Sequence, residues 1–153
     1  MPTRHSIPTE LFTCPTVVWI PVQWGDIDQM GHVNNTLPIR WFETARIRFL
    51  EDAGVGDMIT GNGLGPILAA IHCNYRQQIR YPDTVCVSAK AAQIGRTSIK
   101  VEHKVFSDDS QSVAAEGESI VVVFDYEKQR PVRVSDELRE LIERIQSQYE
   151  QES

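Results

Sequence analysis

The sequence predicts an α+β domain in which one long helix precedes a run of antiparallel strands. Apolar residues recur at helical spacing at Pro38, Trp41, Phe42, Ala45, Phe49 and Ala53, which gathers them on one face. After Pro66 the pattern changes to strand-like stretches joined by short polar or glycine-containing connections. Hairpin-linked strands that follow a helix give a helix layered on an antiparallel sheet, not a parallel array. At 153 residues the chain suits one domain, 1–153, large enough to bury a core without cross-links.

Residues 1–15 contain three prolines and read as an extended N-terminal arm. Thr16 to Trp24 (TVVWIPVQW) is rich in β-branched and aromatic residues and reads as a strand. Pro21 within it points to an edge position or a bulge, because proline donates nothing to a ladder. Asp26 and Asp28 follow two apart, on one side of the chain if it is still extended. Asn34, Asn35 and Thr36 are all competent N-caps for the helix, Pro38 fits its first turn, and Gly54 is a natural stop. Ile39, Ile47 and Leu50 lie off the main apolar face, so the helix should be covered on more than one side. Glu43 and Arg46, three apart, are expected to pair on its surface.

Gly54 to Pro66 holds five glycines and reads as a connector, with one short turn around Asp57–Ile59. It lacks the Gly-Lys-Ser/Thr ending that would hold a nucleotide. Strands are then expected over 67–79, 84–94, 97–106 and 113–125. Gly95-Arg96 makes a tight hairpin connection, and Ser107 to Ser110 a second turn. Ser135 caps a second helix over 135–150, whose narrow stripe is Leu138, Leu141, Ile142 and Ile145, with fraying expected from Gln146.

A formal net charge of −6 with no broad basic face disfavours nucleic-acid partners. No apolar run is long enough to span a bilayer, and the N-terminus lacks the apolar stretch of a signal peptide, so a cytoplasmic location is expected. Cys14, Cys73 and Cys86 are widely separated and read as buried or incidental thiols. His5, His72 and His103 are likewise scattered, and no metal is implied.

The chemistry concentrates where the first strand meets the helix. Carboxylates at a strand exit face a helix N-terminus, whose unpaired N–H groups carry partial positive charge. A developing oxyanion is stabilised at such a place while a carboxylate attacks or activates water, which suits acyl transfer or hydrolysis. Either aspartate also fits a plain turn or capping role. His32 fits two roles as well, fixing the turn or placing substrate or water.

The run Asp26-Ile27-Asp28-Gln29-Met30-Gly31-His32-Val33-Asn34-Asn35, followed by Trp41-Phe42-Glu43-Thr44-Ala45-Arg46, resembles the 4-hydroxybenzoyl-CoA thioesterase family of hotdog folds. The resemblance continues through Asn74-Tyr75, Tyr81-Pro82-Asp83, Ile94-Gly95-Arg96-Thr97-Ser98 and Val123-Phe124-Asp125, and so covers about residues 16 to 145. It implies five antiparallel strands wrapped round the long helix, with subunits paired as a dimer or tetramer that shares each active site. It implies an acyl-CoA substrate, with no cofactor beyond the coenzyme A carried in that substrate. Asp28 is then the catalytic carboxylate, and the backbone N–H near Asn35 polarises the thioester carbonyl. His32 and Asn34 belong to the substrate-binding turn, and Arg96 matches a hairpin position whose basic residues meet the nucleotide phosphates. In relatives the 54–66 connector lies near the acyl pocket. This chain departs from the pattern at Pro38, where many relatives carry Tyr.

Two alternatives come from the same fold. An enoyl-CoA hydratase would pair an Asp with a His, as Asp28 and His32 invite, but its Asp-x-Asn-Pro-x-His context is missing. A non-catalytic acyl-binding module would be expected to lose Asp28, which this chain retains.

Overall fold

The β-branched runs of the sequence pair into one antiparallel sheet. The computed structural model describes residues 7–54 and 63–150. In chain order the elements are β1 (Thr16–Pro21), α1 (Leu37–Asp52), β2 (Leu64–Tyr75), β3 (Thr84–Ile94), β4 (Ser98–Ser107), β5 (Ser112–Asp125), β6 (Arg130–Pro131) and α2 (Asp136–Glu150). The sheet order is β1-β3-β4-β5-β2, and the two-residue β6 adds to β5, which makes six strands where five are expected. The two helices have 16 and 15 residues, so α1 is not singled out by its length.

Strand β1 lies at one edge and ends at Pro21, whose missing N–H costs nothing there. Strand β2 forms the other edge, three residues upstream of its expected start, because Leu64 to Leu68 pair with Asp125 to Val121 of β5. It ends at Tyr75, not Ile79, because Arg76 and Gln77 both turn their N–H groups to the Ala114 carbonyl, at 2.8 and 3.1 Å. The turn expected at 57–59 lies outside the described residues.

The main core forms between α1 and one face of the sheet. Phe42, Ala45 and Phe49 are fully buried there against Val85, Val87, Val101 and Val105, at periods of 3.6 on the helix and 2 on the strands. Leu50 is also buried, whereas Ile47 stays 44% exposed, so that flank of the helix is open in the single chain. On the opposite face a smaller cluster of Leu11, Cys86 and Phe106 is covered by the N-terminal segment, which takes a 3-10 turn over Thr9–Leu11. The three cysteines are free, with Cys14 and Cys86 buried.

Helix α2 starts as expected, its Leu138 N–H donating to Ser135 Oγ at 3.1 Å. It does not fray at Gln146. That side chain donates to the Ala91 carbonyl at 2.9 Å and accepts the Ala91 N–H at 3.1 Å, which ties the helix to β3.

His103 and Arg46 are the two large polar side chains among the buried residues. His103 stacks on Phe42, with ring centroids 4.6 Å apart. Its Nδ1 lies 3.1 Å from the Ser88 carbonyl and its Nε2 lies 2.8 Å from Ser119 Oγ. A carbonyl only accepts, so Nδ1 carries the proton and Nε2 accepts from the serine hydroxyl. Burial, aided by the charge of Arg46 and opposed by the Ser88 carbonyl, pushes His103 down to about 4. Arg46 is itself buried, one helical turn beyond Phe42, and its Nη1 has no hydrogen-bond partner. The surface pairing expected with Glu43 therefore does not form: Glu43 is exposed while Arg46 turns inward.

His103 makes stability pH-dependent. The unfolded chain takes up a proton near pH 6.5, and the folded chain resists it until about pH 4. Its contribution is complete above pH 6.5 and is lost as the pH falls toward 4, by about 3 kcal/mol from this one group. Urea unfolding followed from pH 7 to pH 4.5 should show this loss. His103→Gln, less stable at neutral pH, should show a flatter dependence; an unchanged slope would rule out His103 as its source.

Candidate functional site

Beyond Pro21 the chain does not stay extended, which separates the two aspartates. Trp24–Asp26 form a 3-10 turn, and the Asp26 carboxylate reaches back to accept the Gln23 N–H at 2.8 Å. Its charge is spent on capping that turn. Asp28 lies on a small hairpin instead. Ile27 bridges Val33, Asp28 N–H donates to the His32 carbonyl, and Gly31 N–H donates to the Asp28 carbonyl, both at 3.0 Å. Gly31 closes the turn at φ +86°, which L side chains rarely adopt. Asp28 Oδ1 accepts the Met30 N–H at 2.8 Å, and Oδ2 has no partner among the described residues.

The return strand of this hairpin leads into α1. Asn34 N–H donates to the Asp26 carbonyl at 2.9 Å, and Val33 N–H to the Ile79 carbonyl at 2.8 Å, so the turn is tied both to itself and to the segment after β2. Thr36 is the N-cap, but its side chain makes no cap bond. Asn34 serves in its place: its Oδ1 accepts the Thr36 N–H at 2.9 Å and the Thr36 hydroxyl at 2.7 Å. Leu37 N–H donates to the Asn34 carbonyl at 3.0 Å. The Asn35 carbonyl accepts a bond from the Tyr75 hydroxyl, at the end of β2. Among the described residues the Asn35 N–H has no acceptor.

A cavity of about 520 Å³ opens over this turn. Asp28, His32 and Asn35 line it, together with Tyr75 and the apolar Pro38 and Ile79. Among the described residues Asp28 Oδ2 and the Asn35 N–H have no partners, and both residues line this one partly apolar space. Such a pair can activate water, or attack directly, on one side of a carbonyl while stabilising negative charge on its oxygen.

Three of the expected site residues, Asp28, His32 and Asn35, come together here. Asn34 is adjacent, but its side chain is committed to Thr36. Arg96 lies elsewhere. It sits in the β3–β4 hairpin, with its carbonyl held by Val134 N–H at 2.8 Å, while Asp28 lies beyond the far ends of those strands. Eleven residues of β3 separate the two ends, roughly 35 Å at strand rise. The neighbouring lysines are already paired, Lys90 with Glu102 at 4.0 Å and Lys100 with Glu118 at 3.1 Å. Tyr75 also lines the cavity, and sequence reasoning left it without a role. Its signals were its place in an expected strand and in the Asn74-Tyr75 pair of the resemblance. Among the described residues no three His, Cys, Asp or Glu side chains gather as a metal site would need, and no helix is long and apolar enough to cross a membrane.

The profile of the thioesterase-like superfamily matches residues 22–142. The chain is 27% identical to a chloroplastic acyl-acyl carrier protein thioesterase of Arabidopsis thaliana, over 80% of this chain and 64% of that protein. It thus spans somewhat under two thirds of that relative's length. It is 24% identical to a long-chain acyl-CoA thioesterase of Escherichia coli, over 82% of this chain and 96% of that one. Among solved structures, a Thermus thermophilus thioesterase complexed with coenzyme A and Zn is 27% identical, with a TM-score of 0.77, covering 88% of this chain and 97% of that one.

The hairpin geometry is testable without any assay of activity. An added Cβ meets nothing within 4 Å at either Gly25 or Gly31, but only Gly31 has positive φ. Gly31→Ala should lower stability by about 1 kcal/mol or more through backbone strain, and Gly25→Ala should change it little. Thermal unfolding compares them directly; equal effects would contradict the turn described.

Proposed function

Because the chain belongs to the thioesterase-like superfamily, we propose that it is a hotdog-fold thioester hydrolase that cleaves acyl-CoA to a free acid and coenzyme A. The observation that carries this reading is the shared cavity, in which Asp28 Oδ2 and the Asn35 N–H are both unpaired. Asp28 either takes a proton from the attacking water or attacks the thioester carbonyl itself. The carbonyl oxygen, as it gains negative charge, is held by the Asn35 N–H at the positive end of α1. Collapse of the adduct breaks the carbon–sulfur bond, and the coenzyme A thiolate leaves; on the direct-attack route water then hydrolyses the acyl–Asp28 anhydride, which releases the free acid and restores the carboxylate. His32, opposite Asp28 on the hairpin, places the substrate or the water. The chemistry calls for no separate cofactor. The enoyl-CoA hydratase reading is not favoured, since the superfamily match and the oxyanion site both point to acyl transfer.

We further propose that the working unit is a dimer or larger. Strand β2 is an edge whose outer side pairs with no strand among the described residues, and Ile67, Leu68 and Tyr75 are exposed along it. A second copy would cover that edge and the open side of the cavity. It would also be needed for Arg96 to meet a coenzyme A phosphate at an active site, because in its own subunit Arg96 lies at the wrong end of the sheet.

An acyl-CoA panel followed by release of free thiol tests the activity. Asp28→Asn should keep the fold and lower turnover ~100-fold or more. Asp26→Asn should stay near the parent. If Asp28→Asn turns over as fast as the parent, the mechanism has the wrong carboxylate. Light scattering at low micromolar concentration should give a dimer or larger species; an active monomer would overturn the proposed assembly.

A further inference from the structure

We infer that Tyr75 is a positioning residue for the reaction, because its hydroxyl holds the Asn35 carbonyl and so aims the neighbouring Asn35 N–H into the cavity. This rests on the thioesterase reading above and adds a residue to its machinery.

The first i+4 bond of α1 runs from the Arg40 N–H to the carbonyl of the N-cap Thr36, so Asn35 lies one residue before that cap and its carbonyl is outside the helix ladder. That carbonyl bonds instead to the Tyr75 hydroxyl, forty positions away in sequence. Both peptide groups that flank Asn35 are thereby fixed. The one before it is held through its carbonyl by Leu37 N–H. The one after it is held through its N–H by Asn34 Oδ1 and through its carbonyl by Tyr75. Only the Tyr75 bond links this pair of peptides to the sheet, since Asn34 and Leu37 belong to the same turn. Tyr75 in turn is seated by the β2–β5 ladder, opposite Ala115. The Asn35 N–H is therefore free but aimed, and the sheet sets its direction. Preorganisation of that kind gives an oxyanion donor its effect, because no reorientation is needed as charge develops.

The role predicts a kinetic signature. A better-aimed N–H bonds more strongly to the transition-state oxyanion than to the ground-state carbonyl, so its loss lowers kcat and leaves KM almost unchanged. Tyr75 is 49% exposed, and removing its hydroxyl opens no core cavity. Tyr75→Phe should lower kcat roughly tenfold with KM within about twofold. The thermal midpoint and the pH dependence of kcat should stay as in the parent. The amide NMR signals of Asn35 and Thr36 should move, while those of Met30 and Gly31 should not.

A second variant isolates the route of action. Replacing the amide that carries the Asn35 N–H with a backbone ester, by semisynthesis of the full chain, deletes the donor itself. In that background Tyr75→Phe should cause little further loss. Multiplying losses, a raised KM with kcat retained, or unmoved Asn35 and Thr36 signals would each overturn the inference. A parent that hydrolyses no acyl-CoA would sink the functional reading, whereas unmoved signals in an active parent would sink only the role of Tyr75.

Discussion

Phe42, Ala45 and Phe49 lose all contact with water where α1 meets the sheet, and the placement of every other element follows from keeping that face covered. Each large apolar side chain contributes on the order of 2–3 kcal/mol by burial, and a hole in its place would cost more. The helix packs against β1, β3 and β4 and touches β2. Its axis and its N-terminus are therefore fixed relative to the strand ends. The turn that carries Asp28 and Asn35 sits at that N-terminus and inherits its position from the core.

The same burial carries polar groups inward. His103 is satisfied by Ser88 and Ser119, and it is neutral because solvation of its charge is lost. Arg46 lacks a partner at Nη1, and burial lowers its guanidinium below the usual value while Glu43 opposes the shift. A buried donor with no acceptor costs stability. Among the described residues Arg46 Nη1 is the one buried side-chain polar atom left without a partner, and it lies on the helix whose N-terminus borders the cavity.

At the cavity, hydrogen-bond accounting separates structural from chemical groups. Asp26 and Asn34 have the right residue types for chemistry, yet their side chains are spent on the Gln23 and Thr36 N–H groups. Among the described residues Asp28 keeps one oxygen free and Asn35 keeps its N–H free, in a space bounded by the segment after β2. Local turns within 24–37 fix these groups relative to one another. Val33 bonding to Ile79, and Tyr75 bonding to Asn35, fix them relative to the sheet.

The sequence by itself determined the α+β class, the core face of α1, the restriction of β1 to an edge or a bulge, the Gly95–Arg96 hairpin and the Ser135 cap. These depend on periodicity, on proline's missing donor and on short-range side-chain bonds, all of which are local properties of the chain. The candidate turn was legible too, as acids set before a capped helix. Only the tertiary structure decided which acid faces the cavity, because the 3-10 turn at Trp24–Asp26 rotates Asp26 away from Asp28. Only it decided that Arg46 turns inward, that β2 starts at Leu64, and that Arg96 sits at the opposite end of the sheet from Asp28. The contact between Tyr75 and Asn35 joins residues forty positions apart, and no local pattern encodes it. It exists because β2 pairs with β5 while α1 packs on the sheet face, and that pairing is a property of the whole fold.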